Sequence, residues 1–318
     1  MIDETSQLVN PWLVAVWPGM GNVGMSAGYY LMAKLEMFMF AEFSPGELFD
    51  AEYVEVQSGI LRGAQLPRSR CFLWRDPNKK HDIVLFIGEA QPPSGKRAFC
   101  QELIQFAKRL GVHRVLTFAA MATQMHPEKV SRVFGAATNE EGLAELTRLG
   151  VKPLDEGRIS GLNGVVLAEA AREGLAGACL LGEMPHIFAQ LPFPGGSLAV
   201  LKVFSALAEV QIDLDELLEQ ADELGTKLGE VLARVEGSLE ERNLDEQSGV
   251  QSEEETLEAE PTPEPKLSAE VERRIDDLFA QARADRSKSF ELKQELDRLN
   301  VFADYEDQFL DLFKKPNA

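Results

Sequence analysis

The sequence predicts an α/β fold, a mixed and largely parallel sheet covered by helices on both faces, followed by an acidic linker and a C-terminal helical tail. Three observations predict it. Short apolar runs alternate with segments of helical periodicity through about residue 210. Several of those runs carry no polar alternation, the pattern of strands buried on both faces. Composition then changes near Glu236, after which acidic residues, Ser, Thr and Pro dominate and Arg242 is the only basic residue up to Pro265.

The first apolar run, residues 12–17 (Trp-Leu-Val-Ala-Val-Trp), is a buried strand. A glycine-rich turn leads into a helix over about 23–35, and 37–43 forms a second strand. Residues 54–57 and 71–75 are strands of a more exposed meander, so part of the sheet is antiparallel. Asp76-Pro77-Asn78 supplies turn chemistry before the apolar strand 83–87. Phe99, Leu103, Phe106 and Leu110 share one face of a helix over 96–110, closed by Gly111. Strands follow over 114–119 and 133–137. Asn139 caps a helix to Leu149, with Glu140 and Glu141 in its first turn, where negative charge is favoured. Residues 163–173 are helical, 178–181 a strand and 197–209 a helix.

Asp213 caps a longer helix. Its Leu214, Leu217, Ala221, Leu224, Leu228, Val231 and Val235 recur three and four apart, a seam that either packs on its own domain or pairs between subunits as a short coiled coil. Beyond it, Val271, Ile275, Leu278, Phe279 and Ala282 mark one face of a tail helix. Phe290, Leu296 and Leu299 mark a middle helix, and Tyr305, Phe309, Leu312 and Phe313 a last one. So small a helical unit exposes its apolar stripe unless it docks on the main domain or on a partner. The expected division is 1–236 for the α/β domain with its long amphipathic helix, 237–266 for an acidic linker without order, and 267–318 for the tail.

The 318 residues carry a formal net charge of −20 and no Lys/Arg run, so neither nucleic acid nor an anionic membrane is an expected partner. Cys71, Cys100 and Cys179 lie far apart among apolar residues, as reduced core thiols do. The chain opens with neither a basic n-region nor an apolar h-region, and a cytoplasmic location is expected. His81, His113, His126 and His186 show no metal-ligand spacing, and no Gly-x-Ser-x-Gly elbow, Cys-His pattern or Walker loop is present. No cofactor is expected and the enzyme reading is disfavoured.

Candidate ligand-binding residues cluster at strand exits. Gly19, Gly21, Asn22 and Gly24 form a G-x-G-x-x-G between a strand and a helix, where backbone N–H groups can hold a phosphate. Glu42, ending the second strand, falls near the position of the ribose-binding acid of a dinucleotide fold. Glu89, Gln91 and Ser94, with Lys96 behind them, follow another apolar strand. Gly161 and Asn163 open a helix, and Glu183 follows the strand 178–181. These groups either converge on one crevice or cap helices and bond loop amides. Glu89 with Glu183 is a possible acid/base pair.

Taken together, residues 18–24, 88–91, 159–164, 180–185 and 212–217 resemble, in order, the motifs of the proteasome assembly chaperone 2 family in its bacterial and archaeal branch. The likeness covers about residues 10–236. It implies a three-layer α/β/α domain with phosphorylase-like topology, homo-oligomers, and a protein-binding or assembly-chaperone-like role. Some archaeal relatives dock on proteasomes through a hydrophobic–Tyr–any-residue tail, whereas this sequence ends Lys315-Pro316-Asn317-Ala318. The expected partners are further copies of the chain and a protein bound through the helical tail. The alternative is a small-molecule protein, for a nucleotide, phosphate or carboxylate, that uses the strand-end crevice.

Overall fold

The computed structural model describes residues 8–43, 48–49, 54–57, 59–63, 66–247, 269–299 and 301–314. In chain order its elements are β1 (Trp12–Val16), α1 (Val23–Lys34), β2 (Phe38–Phe43), β3 (Val54–Gln57), β4 (Ile60–Gly63), β5 (Ser69–Trp74) and β6 (Ile83–Gly88). There follow α2 (Lys96–Arg109), β7 (Arg114–Thr123), β8 (Val133–Ala137), α3 (Glu140–Arg148), β9 (Lys152–Pro153), α4 (Gly161–Arg172) and β10 (Ala176–Pro185). The chain closes with α5 (Pro194–Ala208), α6 (Asp215–Gln247), α7 (Ala269–Ala284), α8 (Ser289–Arg298) and α9 (Phe302–Asp311).

Eight strands form one sheet in the order β2-β5-β6-β1-β7-β10-β8-β9. The centre, β6-β1-β7-β10, is parallel. The meander β2-β5-β6 is antiparallel, as is the β8-β10 pair. Side chains alternate across this sheet, so one continuous run of apolar residues feeds two cores. Val14, Val16, Leu85, Ile87, Leu116 and Phe118 face one core. Leu13, Ala15, Val84, Phe86 and Val115 face the other. Helices α1 and α5 cover the first face, and α2 and α4 the second. This is the expected three-layer α/β/α arrangement with a mixed, mostly parallel sheet.

The Asn139 cap forms as its residue type requires, its Oδ1 accepting from the Gly142 N–H at 2.8 Å. Three features differ from expectation. Strand β4 pairs with β3 in a separate hairpin outside the main sheet, and β7 and β10 end at Thr123 and Pro185, beyond the expected ends at residues 119 and 181. Helix α6 continues to Gln247, so residues 237–247, expected in the linker, have helical backbone. The cause is intrinsic propensity: between Gly237 and Gly249 the chain has no Gly or Pro and carries the helix formers Leu239, Glu240, Glu241, Arg242, Leu244 and Glu246. Linker residues 248–266 lie outside the described residues.

The tail takes the first of its two expected positions, on the main domain. Helices α7 to α9 fold back on α1 and β5. The Tyr30 and Phe290 rings meet edge to face with centroids 4.5 Å apart, and Tyr29 meets Phe302 and Phe309 at 5.2 and 5.8 Å. Phe313 packs on Phe72, and its carbonyl accepts from the Met39 N–H at 2.9 Å. Ile275, Phe279, Leu296, Phe309 and Phe313 are all buried, continuous with the first core. Of the two occupants expected for the apolar stripe, the main domain or a protein partner, the main domain takes it.

Helix α6 is split along its length. Tyr30 donates to the Asp213 carbonyl at 2.9 Å, and Lys34 pairs with Glu216 at 3.0 Å, which fixes the first turn. Leu217 and Leu228 are buried on the domain, whereas Val231 and Val235 are 43% and 51% exposed. The seam thus packs on its own domain first and leaves its later apolar positions open.

Candidate functional site

The parallel strands β6, β1, β7 and β10 end at one rim, and the exits named by sequence lie along it. The glycine turn after β1 is closed by protein. Gly21 donates its N–H to the Ala189 carbonyl at 2.8 Å, and its own carbonyl accepts from the Phe193 N–H at 2.9 Å. The Asn22 N–H goes to the Gly19 carbonyl at 3.0 Å. Gly21 has φ +59°, and a Cβ there would meet the Met184 side chain at 2.7 Å. The Gly21 and Asn22 amides are thus already bonded within the protein, and Met184 and Phe193 pack against Gly21. Glycine is required here for a left-handed turn and close packing. Asn22 and Gly19 are exposed, and the Asn22 side chain makes no capping bond. Gly24 packs against the Phe118 carbonyl.

Glu42 is far from this turn. It lies on β2, at the sheet edge, with β5 and β6 between it and β1. A dinucleotide fold places its acid on the strand beside the first, so this topology does not support the dinucleotide reading.

Gln91 joins two exits. Its Nε2 donates to the Pro18 carbonyl at 3.3 Å, and its Oε1 accepts from the Leu162 N–H at 3.1 Å. Gly161 has φ +69°, and a Cβ there would meet Gln91 Oε1 at 2.5 Å. Gln91 therefore serves the loop-amide role that sequence analysis set beside ligand binding. The Asn163 carbonyl accepts weakly from Thr117 at 3.4 Å, and Asn163 Oδ1 is closed off without a partner. Ser94 is exposed ahead of α2 and joins none of these contacts.

The two carboxylates are held by arginines that sequence reasoning passed over. Glu183, 1% exposed, accepts from Thr123 Oγ1 at 2.8 Å, from Arg132 Nε at 2.6 Å and from the Arg132 backbone N–H at 3.2 Å. The hydrogen bonds from Arg132 hold its carboxyl below the usual range, against the opposing effect of burial. Glu89 accepts from the Arg68 N–H at 2.7 Å and from Arg70, which also pairs with Asp307 of the tail. Burial raises the Glu89 carboxyl above its usual range, and the Arg68 N–H and Arg70 offset only part of that. Strands β6 and β10 are separated by β1 and β7, three spacings or about 14 Å. Glu89 and Glu183 thus sit apart, each with its own arginine, and do not share a substrate position. The signal for Arg70 was in the sequence: a cation directly abutting the apolar run Cys71-Phe72-Leu73-Trp74. Nothing local marked Arg132, which is 51 residues from Glu183.

Burial pushes the thiols of Cys100 and Cys179 up to about 12, out of reach of nucleophilic chemistry at neutral pH. Among the described residues no group of three His, Cys, Asp or Glu side chains is placed to hold a metal ion, and no helix is long and apolar enough to cross a membrane.

Comparison with known proteins agrees with this architecture. A proteasome-assembly chaperone homologue of Mycobacterium tuberculosis superposes with a TM-score of 0.61 at 23% identity, over 70% of this chain and 95% of that one. PbaB of Pyrococcus furiosus, an archaeal proteasome activator, gives 0.60 at 23% identity over 72% and 95%. An uncharacterized protein of Methanocaldococcus jannaschii is 26% identical over 221 residues, 69% of this chain and 82% of its own. The family model for the PAC2 family matches residues 13–232, from β1 to the buried part of α6, and the chain belongs to the PAC2 family.

Proposed function

We propose that this chain is an oligomeric protein-binding factor with an assembly-chaperone-like role, not an enzyme. PAC2 membership carries the reading, since the similar M. tuberculosis and P. furiosus proteins are a proteasome-assembly chaperone homologue and a proteasome activator. Two features support it. The strand-end polar groups are largely committed to protein partners, whereas apolar side chains are presented outward elsewhere. Register places Val54 opposite Gly63 and Val56 opposite Leu61 on one face of the β3–β4 hairpin. Val56 and Leu61 are 66% and 69% exposed. Val231 and Val235 on α6 add a second open apolar stretch, suited to helix pairing between copies.

In this reading copies associate through the hairpin and the outer part of α6. A further protein, inferred to be a proteasome-like ring subunit, meets the assembled surface. Because the tail's apolar face is occupied, any contact it makes with a partner uses its charged outer face. Native mass spectrometry of the full chain tests the first step. A multimer is expected, shifted toward monomer by Val56→Asp/Leu61→Asp or by Val231→Asp/Val235→Asp. A monomer at every concentration would reject it. Co-elution with purified proteasome subunits tests the second step, and separate elution would reject the partner class.

A further inference from the structure

We propose that the groove between α5, the first half of α6 and the segment entering β8 binds a small amphipathic anion: a carboxylate, phosphate or sulfonate head on an apolar body. This goes beyond the protein-binding reading and stands independently of it.

The groove encloses about 460 Å³, within the range of small-molecule sites. Helical spacing builds two of its walls. Leu198, Ala199, Lys202 and Val203 share one face of α5, and Leu218, Ala221, Asp222 and Gly225 share one face of α6. Val133 and Phe193 add further apolar lining. Ala221 leaves room between the helices, while Gly225 lets Pro127 and Glu128 pack close against α6, a Cβ there lying 3.0 Å from the Pro127 carbonyl.

The charge of the lining opposes that of the molecule. In a chain of formal charge −20, four cations line this groove against the acids Glu128 and Asp222. Arg132 is engaged by Glu183. Lys129, Lys152 and Lys202 make no ion pair among the described residues, although acidic residues abound. Three unpaired lysines against two lining acids leave the groove with a net positive charge, which an anion would offset.

A second, independent observation points the same way. Ser131 lines the groove, and its hydroxyl is closed off from solvent with no hydrogen-bond partner. Buried hydroxyls are almost always partnered. A turn about the Ser131 Cα–Cβ bond would present this hydroxyl to a ligand oxygen, while the lysines neutralise its charge and the apolar walls receive its body. Because the site is concave and narrow, a single soluble molecule fits better than a flat membrane or a second copy.

Fluorescence titration of the full chain with 1-anilinonaphthalene-8-sulfonate, beside the uncharged N-phenyl-1-naphthylamine, tests this. Lys129→Glu/Lys202→Glu should weaken the anionic probe about tenfold or more and change the neutral one by less than about twofold. Ala199→Trp should weaken both. The lysines are exposed, so their variants fold and carry the test even if the tryptophan variant does not. Unchanged affinity for the anionic probe in the lysine variant overturns the proposal. An equal loss of both probes there overturns the anionic preference. Probe affinity that falls as protein concentration rises assigns the groove to a second copy. Co-sedimentation with phosphatidylglycerol vesicles, lost in the lysine variant, assigns the cations to a membrane surface. Either of these last two results overturns the small-anion site.

Discussion

Gly24 faces the Phe118 carbonyl so closely that a Cβ would lie 2.4 Å from that oxygen. Backbone on the far side cannot rotate away, so α1 would have to lift from β7. Gly24→Ala should therefore cost about 1–3 kcal/mol in urea unfolding. Gly19 is extended, with nothing nearer than 4.0 Å, and Gly19→Ala should stay within about 0.5 kcal/mol. Equal effects from the two would deny that the motif is a packing device. Glu183 gives a pH signature. Its folded value is lowered, so its contribution to stability is full above the ordinary carboxylate value of 4.5 and is lost as pH falls through the folded value. Urea midpoints measured through that acid range should fall less steeply for Glu183→Gln than for the native chain. Sequence reading singled out Gly21, Gln91 and Glu183 as ligand-binding candidates because residue type and strand exits are local. It could not find that Met184, Phe193 and Arg132 close over them, because those contacts bring together distant parts of the chain.

The tail is held to the α/β domain by aromatic packing and by a partly buried charge cluster. Phe309 is 1% exposed among Tyr29, Phe302 and Phe313. Phe309→Ala should cost about 3–5 kcal/mol and free α9 first, read as loss of amide exchange protection there while β1 and β7 stay protected. Glu306, bonded to the Tyr29 hydroxyl, and Glu89, on Arg70, both titrate above the usual range, chiefly through burial. Arg70 and Lys293 oppose this shift without cancelling it. A raised carboxylate value means docking favours the protonated form. That contribution is fully present below 4.5 and is lost as pH rises through the folded values. Protection of α9 should be higher at about pH 5 than at about pH 8, and Glu306→Gln should flatten the difference. At this scale the helices were legible from three-and-four spacing and the central strands from unbroken apolar runs. Strand β4 was not, because Ile60-Leu61-Arg62-Gly63 is four residues ending in Gly, too short for an alternation to register. The outer half of β7, Ala120-Met121-Ala122-Thr123, lacks the β-branched density that marked its start.

At the scale of the whole molecule, the question is whether the chain is one folding unit or a domain with a tethered guest. The first core runs without a break from the sheet through α1 into α8 and α9. Phe290, Leu292, Leu296, Leu310 and Phe313 are each buried there, at about 1.5–3 kcal/mol apiece relative to exposure. Association of separate pieces costs about 4–15 kcal/mol in lost rigid-body freedom. The apolar gain is therefore of the same order as that cost, and the Arg70 contact with Asp307 adds to it. Residues 248–268 keep the tail covalently attached to the α/β domain. A protease site placed within residues 248–266 separates these contributions. After cleavage, residues 267–318 should remain bound to the α/β domain and co-elute with it at micromolar concentration. Asp307→Asn with Phe309→Ala should release them. Release from the unsubstituted chain would mean that the covalent tether, not the shared core, keeps the tail in place. Tyr29, Tyr30 and Phe72 would then form an intermittently open apolar face, a third surface on which an assembly partner could act.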